Sequence, residues 1–414
     1  MQSRSGGSVL NADNAVKGNN IKILKEANKF LILQCIMKYA PISTEDVVRR
    51  TSLSRPTVLN LVKELMEEGI VVKDGYSESC GGRAAALLNL SGERHFAVGI
   101  DFEFPIIRMA IANMKGDIRA AKTLNYDIDI EKDALMEDLL RELDQFIADS
   151  GVEKALIDGV GIGLPGVIDT VNGISMNIER IHGWQRVDIQ KKLERHLKLA
   201  VYIQNDVHLM GLVEKRLYLG DETTDFIYIG LRAGIGSIIY QNNHPMAGEK
   251  GNAGFIGHTT LDPKGPPCRC GSWGCLDVYA GKLSIVERYR EKSGLQGADG
   301  ELPDFDRLVK MAGEGDSAAR AVLSEAGSYL GIAISNIVKT MEISKVVIGG
   351  SPALESSVFF KTAEDALQTY LTDNLGVKVS VYCGQLPEDK YALGGCFMVF
   401  DNLFSKPKLS LSMV

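Results

Sequence analysis

The sequence predicts an α/β fold made of a small helical head and a larger body of two lobes. Three observations support this prediction: a helical pattern that ends in a hairpin before residue 90, a change at Ser91-Gly92 to strands alternating with helices, and a second series of the same alternation. A chain of 414 residues has room for two or three domains. We expect a disordered N-terminus over 1–20, a head over 21–90, a body over 91–400 and a C-terminal tail over 401–414.

The composition is that of a soluble globular chain, with 45% hydrophobic, 24% charged and 7% aromatic residues. No apolar run reaches the ~18 residues that cross a bilayer, and the polar N-terminus lacks the apolar core of a signal peptide. The seven cysteines are an odd number and include one tight cluster, which argues against a disulfide framework. These features predict a cytoplasmic protein with no membrane partner.

The net charge of −7 is unevenly distributed along the chain. Residues 1–92 carry 12 Lys and Arg against 9 Asp and Glu, whereas the remaining residues carry 34 against 44. Because binding to a polyanion needs local positive charge, a basic head on an acidic body favours an anion-binding module attached to a larger domain. A difference of this size also arises by drift, so the charge alone does not decide the function.

Residues 21–90 predict three helices followed by a β-hairpin. An apolar helical pattern covers 21–39, Ser43 is placed to cap a second short helix, and Ser54 is placed to cap a third. Gly69 ends the third helix, and the apolar runs after it predict the two strands of a hairpin. Three helices followed by a hairpin predict a winged helix-turn-helix.

In a winged helix-turn-helix, the third helix enters the major groove of DNA. The exposed face of this helix is predicted to be polar, without large apolar anchors, and begins with an arginine. Arg83, which follows two glycines in the hairpin, is suited to a narrow minor groove. The predicted DNA-contacting residues are Ser54, Arg55, Thr57, Asn60, Lys63 and Arg83. The alternative is a protein-interaction module, because winged helices also bind proteins.

The body predicts two successive series of strands and helices with a cleft between them. Strands are predicted over 96–101, 106–113, 118–124, 155–162, 201–203, 226–229, 236–240 and 346–348. Helices are predicted over 135–147, 187–197, 206–219 and 327–340.

A cluster of metal-binding residue types lies in the second half of the body: His258, Cys268, Cys270 and Cys275. Three thiolates and an imidazole complete the tetrahedral shell of Zn²⁺ and leave no open position for a catalytic water. The sequence therefore predicts a structural zinc that holds its loop in place. The alternative is a coincidental group of reduced cysteines without a metal.

Four motifs occur in the order typical of the ROK family, which joins bacterial sugar kinases and sugar-responsive repressors. They are residues 161–166 (GIGLPG), Asn205-Asp206, residues 254–258 (GFIGH) and residues 268–277 (CRCGSWGCLD). The head resembles the DNA-binding part of the xylose and N-acetylglucosamine repressor branch, through residues 53–58 (LSRPTV) and 81–83 (GGR). The resemblance covers residues 21–400 and implies an actin-like, sugar-kinase-like body. Since kinase members generally lack the head, its presence favours a transcriptional regulator.

The resemblance implies a sugar site between the lobes. Asn205-Asp206 lies at a strand end that opens a helix, where α/β sheets bind ligands, and a carboxylate with an amide suits vicinal hydroxyls. Asp206 matches the base of the kinases, and the second ring nitrogen of His258 is expected to meet a sugar hydroxyl. The expected ligand-binding residues are Gly166, Asn177, Asn205, Asp206, Phe255, His258 and Asp277. An Asn-Asp pair is also a common helix cap.

Two positions depart from the family pattern. Phe255 and Asp277 stand where the family commonly has glutamates that accept hydrogen bonds from sugar hydroxyls. Phenylalanine has no acceptor and can only stack on a sugar ring or close the pocket, and Asp277 is one methylene shorter. The loop after Asn177 is also longer than usual. Either the ligand differs from an ordinary hexose or the specificity of the site has been rebuilt. The alternative is that Phe255 fills core space and no small ligand binds.

The two phosphate-binding loops of the kinases are altered. The first usually reads Asp-x-Gly-Gly-Thr, whereas residues 101–105 read DFEFP, which adds a carboxylate and bulk and includes a proline without an N–H. The second usually reads Gly-Thr-Gly-Ile-Gly, whereas residues 232–236 read RAGIG. Phosphoryl transfer depends on positioning and charge stabilisation, so we expect no enzyme activity and no catalytic residue, although Asp206 is retained.

These features predict a transcriptional regulator, a repressor of carbohydrate genes, that binds double-stranded operator DNA as a homodimer or tetramer. A sugar or sugar derivative is expected to modulate this binding. Two alternatives remain: a ROK sugar kinase with an added DNA-binding head, and a constitutive DNA-binding protein whose body only dimerises.

Overall fold

A computed structural model describes residues 9–77, 84–220, 222–294, 302–371 and 376–404, with side chains from residue 23 onward. The helices are α1 (Val9–Tyr39), α2 (Thr44–Thr51), α3 (Arg55–Glu67), α4 (Lys132–Asp149), α5 (Ile189–Leu197), α6 (Asp206–Glu214), α7 (Leu276–Ala280), α8 (Lys282–Ser293), α9 (Phe305–Glu314), α10 (Ser317–Met341), α11 (Val358–Tyr370) and α12 (Leu393–Leu403). The strands are β1 (Ile42–Ser43), β2 (Val71–Tyr76), β3 (Ala86–Leu90), β4 (Phe96–Glu103), β5 (Ile106–Asn113), β6 (Ile118–Asn125), β7 (Ile157–Leu164), β8 (Ile168–Asp169), β9 (Ile174–Asn177), β10 (Gln185–Val187), β11 (Ala200–Asn205), β12 (Phe226–Leu231), β13 (Ile235–Gln241), β14 (His244–Pro245), β15 (Lys345–Gly349) and β16 (Ser380–Cys383).

The head is the predicted winged helix-turn-helix. Ser43 caps α2 by accepting a hydrogen bond from the backbone N–H of Asp46 at 3.1 Å, and Ser54 caps α3 through Thr57 at 3.3 Å. Helices α1, α2 and α3 contact one another, and β2 and β3 form an antiparallel wing to which β1 adds a third strand. Both predicted caps are confirmed because Ser side chains satisfy the free N–H groups of a first helical turn.

The expected boundaries of the disordered N-terminus and of the C-terminal tail differ from those in the structure. Helix α1 begins at Val9, so residues 9–20 are helical rather than disordered. The sequence of this segment mixes Asn, Asp, Gly and Lys with its apolar residues, so no helix was predicted there. The expected tail over 401–414 begins inside α12, which continues to Leu403. Residues 405–414 lie outside the described residues.

The body contains two five-stranded sheets of the same topology, as the two predicted series require. The N-terminal lobe has the order β6-β5-β4-β7-β11 and the C-terminal lobe has the order β14-β13-β12-β15-β16. In each lobe the first three strands are antiparallel, and the fourth and fifth run parallel to the first. The carboxyl ends of β4, β7 and β12 therefore face the cleft between the lobes.

Glycines let helices approach both sheets closely where the lobes meet. A Cβ on Gly161 of β7 would lie 2.1 Å from the carbonyl oxygen of Gly395, so α12 packs directly on the N-terminal sheet. A Cβ on Gly163 would meet Asp206 at 3.2 Å, and one on Gly236 would meet Val207 at 2.9 Å. The first turn of α6 therefore lies between the two sheets.

One described helix, α10, is long and apolar enough to cross a membrane by length and composition. In the structure, 56% of its apolar window is buried, and it packs against α11, α9 and α7. This is the packing expected of a core helix in the C-terminal lobe.

Candidate functional site

The third helix of the head presents polar side chains to solvent. Ser54, Arg55, Asn60 and Lys63 are exposed, and Thr57 is half-buried with its hydroxyl 2.8 Å from that of Ser54. Arg55 donates a hydrogen bond to Glu45 of α2 at 2.7 Å, and both side chains are exposed. Because an exposed ion pair stabilises a protein by only about 0–1 kcal/mol, a DNA phosphate can replace Glu45 at little cost.

The face of α3 is less polar than the sequence predicted. Leu59 is 49% exposed between the turns that carry Arg55 and Lys63, so the expectation of a face without large apolar side chains is wrong. The helical stripe that packs into the head already holds Val58, Leu61 and Val62, and this leaves no room for Leu59. An apolar side chain at this place can contact a thymine methyl group. Arg83 lies outside the described residues.

The four predicted metal ligands lie together. One ligand atom from each of His258, Cys268, Cys270 and Cys275 is within 4.8 Å of all the others. Nδ1 of His258 is 3.7 Å from the Cys268 sulfur, and the sulfurs of Cys270 and Cys275 are 3.6 Å apart. Ligand atoms around a tetrahedral Zn²⁺ are separated by roughly 3.5–3.8 Å. The cluster therefore fits a structural metal site.

The near side of the cleft is built around the start of α6. Asn205 caps this helix, because its Oδ1 accepts hydrogen bonds from the backbone N–H groups of Val207 and His208 at 3.0 and 3.4 Å. Its Nδ2 lies 3.5 Å from the carbonyl oxygen of Gly166. Gly166 has φ of 77°, and a Cβ there would lie 2.7 Å from the carbonyl oxygen of Asn177. The structure thus brings Gly166, Asn177 and Asn205 together and gives Asn205 the role of a helix cap.

Asp206 is 5% exposed at the inner end of this wall. Its Oδ1 accepts the backbone N–H of Val207 at 2.9 Å, and its Oδ2 is 3.5 Å from Nε of Arg232. Burial raises the pKa of Asp206 to about 7, against the effect of the Arg232 guanidinium. The carboxyl group therefore changes its charge near neutral pH.

The far side of the cleft is formed by residues around the metal cluster. Asp277 of α7 accepts the backbone N–H of Ile235 at 2.7 Å, and a Cβ on Gly257 would lie 3.1 Å from the same oxygen. His258 turns Nδ1 toward Cys268, which leaves Nε2 as the nitrogen available to a ligand. Phe255 is 36% exposed, with its ring centroid 6.1 Å from that of His258. The alternative that Phe255 fills core space is therefore wrong.

Buried charges fill the inner end of the cleft, between the β4–β5 and β12–β13 hairpins. Nη2 of Arg232 donates to both oxygens of Asp101 at 2.8 and 3.0 Å, and its Nε is 3.1 Å from Glu103. Arg108 donates to Asp101 at 3.1 Å, to Glu103 at 2.9 Å and to Glu388 at 2.9 Å. We call these five residues the inner ionic cluster. It occupies the region between the two loops that the sequence comparison associated with phosphate binding.

Comparisons with known proteins agree with this architecture. The sequence pattern of the ROK family matches residues 97–402, and a winged helix-turn-helix DNA-binding pattern matches residues 25–72. The chain belongs to the ROK family. The xylose repressor of Caldicellulosiruptor bescii is 27% identical to this ROK protein over 398 residues, which cover 94% of this chain and 99% of the relative.

Solved ROK structures share the fold. A ROK family transcriptional regulator, described as a homolog of the E. coli MLC protein, has a TM-score of 0.79 at 20% identity, covering 92% of this chain and 97% of that one. A ROK family glucokinase from Streptomyces griseus, in complex with glucose and AMPPNP, has a TM-score of 0.63 at 20% identity. The match covers 73% of this chain and 98% of the kinase chain.

The inner ionic cluster of this ROK body is the feature that sequence reasoning missed. Arg232 was noted only as a departure from a glycine-rich loop, and Glu388 carried no signal because it lies 280 residues from its partner Arg108 along the chain. The one available signal was that two loops gained opposite charges, Glu103 in the first and Arg232 in the second.

Proposed function

We propose that this protein is a sequence-specific DNA-binding repressor of carbohydrate genes, whose operator affinity is modulated by a sugar or sugar derivative bound in the cleft. The observation that carries this proposal is the similarity to a named xylose repressor over 94% of the chain, which includes both the head and the body. A head alone would support DNA binding, and a body alone would support a sugar site. Their combination supports a regulator that responds to a sugar.

The head supplies the DNA-binding surface in this proposal. The N-terminus of α3 offers Arg55 to phosphates and base edges, and Asn60 and Lys63 extend the surface along the groove. We assign direct contacts to Ser54, Arg55, Thr57, Asn60 and Lys63, and we keep the DNA contact that the sequence predicts for Arg83.

The cleft supplies the effector site. Asn205 and Asp206 would bind hydroxyl groups from the N-terminal lobe, and His258 and Asp277 would bind them from the C-terminal lobe. The exposed ring of Phe255 is suited to the apolar face of a sugar. A ligand that touches both lobes favours their closed arrangement, and it releases DNA only if that arrangement fits the operator less well.

We further propose that the metal is Zn²⁺ and that the protein is a cytoplasmic homodimer without kinase activity. The Cys₃His ligand set and its spacing support zinc. The inner ionic cluster supports the absence of phosphoryl transfer, because Glu103 places a negative charge where the kinase loop has a glycine.

Mobility shifts with the promoter DNA upstream of the adjoining genes test the proposal. We expect D-xylose, N-acetyl-D-glucosamine or another member of a sugar panel to weaken the complex at least tenfold. Arg55→Ala should weaken it by about 1–3 kcal/mol, whereas Arg195→Ala, which removes the same charge from an exposed position of the body, should not. If no sugar changes the affinity, the sensor role fails. Robust ADP release with a sugar, abolished by Asp206→Asn, would instead support the kinase alternative.

A further inference from the structure

The residue that joins the effector site to the opposite lobe is Arg232. It follows β12 in the C-terminal lobe and is 4% exposed. Its guanidinium reaches Asp101 and Glu103, which belong to β4 of the N-terminal lobe, and Asp206, which begins α6. Through these described ion pairs, Arg232 connects the two lobes with each other and with the carboxylate of the proposed sugar site.

The contacts of Arg232 differ in quality. Both hydrogen bonds to Asp101 are short, at 2.8 and 3.0 Å, and the guanidinium carbon lies 5.0 Å from the ring centroid of Tyr391. By contrast, Nε is within ion-pair distance of Glu103 and Asp206 but donates a hydrogen bond to neither. A buried donor without an acceptor is costly, so this N–H gains free energy from any movement that brings an acceptor into line.

Asp206 is one of two acceptors within reach of this N–H; the other, Glu103, lies at 3.1 Å and already accepts a hydrogen bond from Arg108. The Nε–Oδ2 distance is 3.5 Å, which is a few tenths of an ångström beyond an ordinary hydrogen bond. Arg232 is carried by the β12–β13 hairpin and Asp206 by the first turn of α6, which lies between the two sheets. A small approach of the hairpin to α6 therefore completes the bond.

Arg108 provides a comparison within the same cluster. It binds the same two carboxylates, Asp101 and Glu103, at 3.1 and 2.9 Å. Its third partner is Glu388, just before α12, which packs on the N-terminal sheet. Arg108 thus holds the N-terminal lobe together and makes no described ion pair with Asp206 or with β12, β13 and their hairpin.

We propose that Arg232 is the positioning residue that couples the effector site to lobe closure. From the C-terminal lobe, its guanidinium binds Asp101 of the N-terminal lobe and orients the carboxylate of Asp206. It fills the inner end of the cleft with a side chain, so that the two hairpins are joined by the protein itself. The effector then needs to occupy only the outer part, where it binds a carboxylate whose position Arg232 has set. This inference rests on the proposed function only in taking Asp206 as an effector-binding residue.

Hydrogen exchange of the full-length protein, measured by mass spectrometry without added sugar, tests this role. Arg232→Met and its matched control Arg108→Met each remove one guanidinium from the same carboxylates. We expect both to speed exchange in residues 101–107, and only Arg232→Met to speed it in residues 206–210 and 231–236, by roughly tenfold or more. Identical patterns for the two variants, or wild-type exchange of residues 206–210 in Arg232→Met, would overturn the proposal.

A second variant covers the case in which Arg232→Met does not fold. Asp101→Asn combined with Arg232→Gln removes one charge of each sign, so the net charge of the inner ionic cluster stays the same. Because the amide introduced by Arg232→Gln carries no positive charge to hold Asp206, we still expect faster exchange of residues 206–210. Wild-type exchange there would again refute the proposal.

The mobility-shift assay separates this inference from the proposed function. A sugar that releases wild-type protein from DNA should still bind Arg232→Met, and calorimetry with that sugar detects this binding. The loss of DNA affinity that the sugar causes should be at least tenfold smaller in Arg232→Met than in the wild type. Equal release from both proteins would contradict the coupling role. If no sugar releases the wild type, the proposed function fails, while the exchange pattern still decides whether Arg232 positions Asp206.

Discussion

At the scale of single residues, the same side chains serve structure and the proposed function. Asn205 caps α6 with its Oδ1, so its Nδ2 is the group that remains for Gly166 or for a ligand. Asp277 accepts the N–H of Ile235 with Oδ1, so Oδ2 is the oxygen that remains for a ligand. The sequence predicted these positions by resemblance and the cap by general chemistry. It did not predict that Asp206 would be buried beside an arginine, because that neighbour lies 26 residues away on another sheet.

The titration of Asp206 gives a prediction at this scale. Its pKa rises from 3.8 to about 7 on folding, so the folded chain holds a proton that the unfolded chain releases, and the contribution of Asp206 to stability falls as pH rises from about 4 to about 7. Asp206→Asn replaces the titrating carboxyl group with an amide, which neither binds nor releases a proton in this pH range. Its stability relative to wild type should therefore increase by about 2–3 kcal/mol between pH 5 and pH 8. Calorimetric unfolding at the two pH values measures the difference.

Asp129→Asn is the control for this experiment, since Asp129 is exposed on a loop of the N-terminal lobe. It should follow the wild-type pH profile. Parallel profiles for wild type and Asp206→Asn would show that the buried carboxyl does not hold the proton.

At the scale of elements, caps and periodicity were reliable guides and long-range packing was not. Ser43 and Ser54 cap α2 and α3 as predicted, since a cap depends on residues three apart. The small sheet β10-β9-β8 and strand β16 went unpredicted, since their short segments carry little periodic signal. The metal cluster was predicted because four ligand residues within eighteen positions are informative without any knowledge of the fold.

Loss of the metal should loosen its loop. Cys270→Ser should reduce bound zinc from one atom per chain to none and lower the Tm, because metal binding and loop folding are coupled. Cys383→Ser is the matched control, since Cys383 is a free cysteine outside the cluster. Elemental analysis and thermal unfolding measure both effects, and chelator treatment of the wild type should reproduce the Cys270→Ser value. Retention of zinc by Cys270→Ser would rule out the proposed ligand set.

At the scale of the whole molecule, the body is two copies of one strand topology with α6 and α12 packed at their junction. Such a body can change shape by moving one sheet relative to the other without unfolding either. The head continues directly into the N-terminal lobe, where the N–H of Ser91 bonds to the carbonyl of Ile70 at 2.8 Å and the side chain of Arg94 packs on Gly69, 2.4 Å from where a Cβ there would lie. These contacts give a path by which lobe movement reaches the head.

The proposed dimer leads to a prediction for the intact protein. Two chains of 45.1 kDa should sediment as one particle of twice that mass, and an operator with an inverted repeat should bind much more tightly than a single half-site. Analytical ultracentrifugation and mobility shifts measure these properties. A monomer with equal affinity for half-site and inverted repeat would exclude the dimer, and a particle of four chains would indicate the tetramer.

The sequence by itself determined the local and patterned features of this protein: the winged head, the alternating strands and helices, the Cys₃His ligand set and the positions that resemble a sugar site. Each of these depends on residues close together in the chain or on a motif that stays recognisable in isolation. Only the tertiary structure decided that Asp101, Glu103 and Arg232 meet in one buried cluster beside Asp206. Buried charges are stable only when opposite charges surround them, and which charges do so is set by how the two sheets pack.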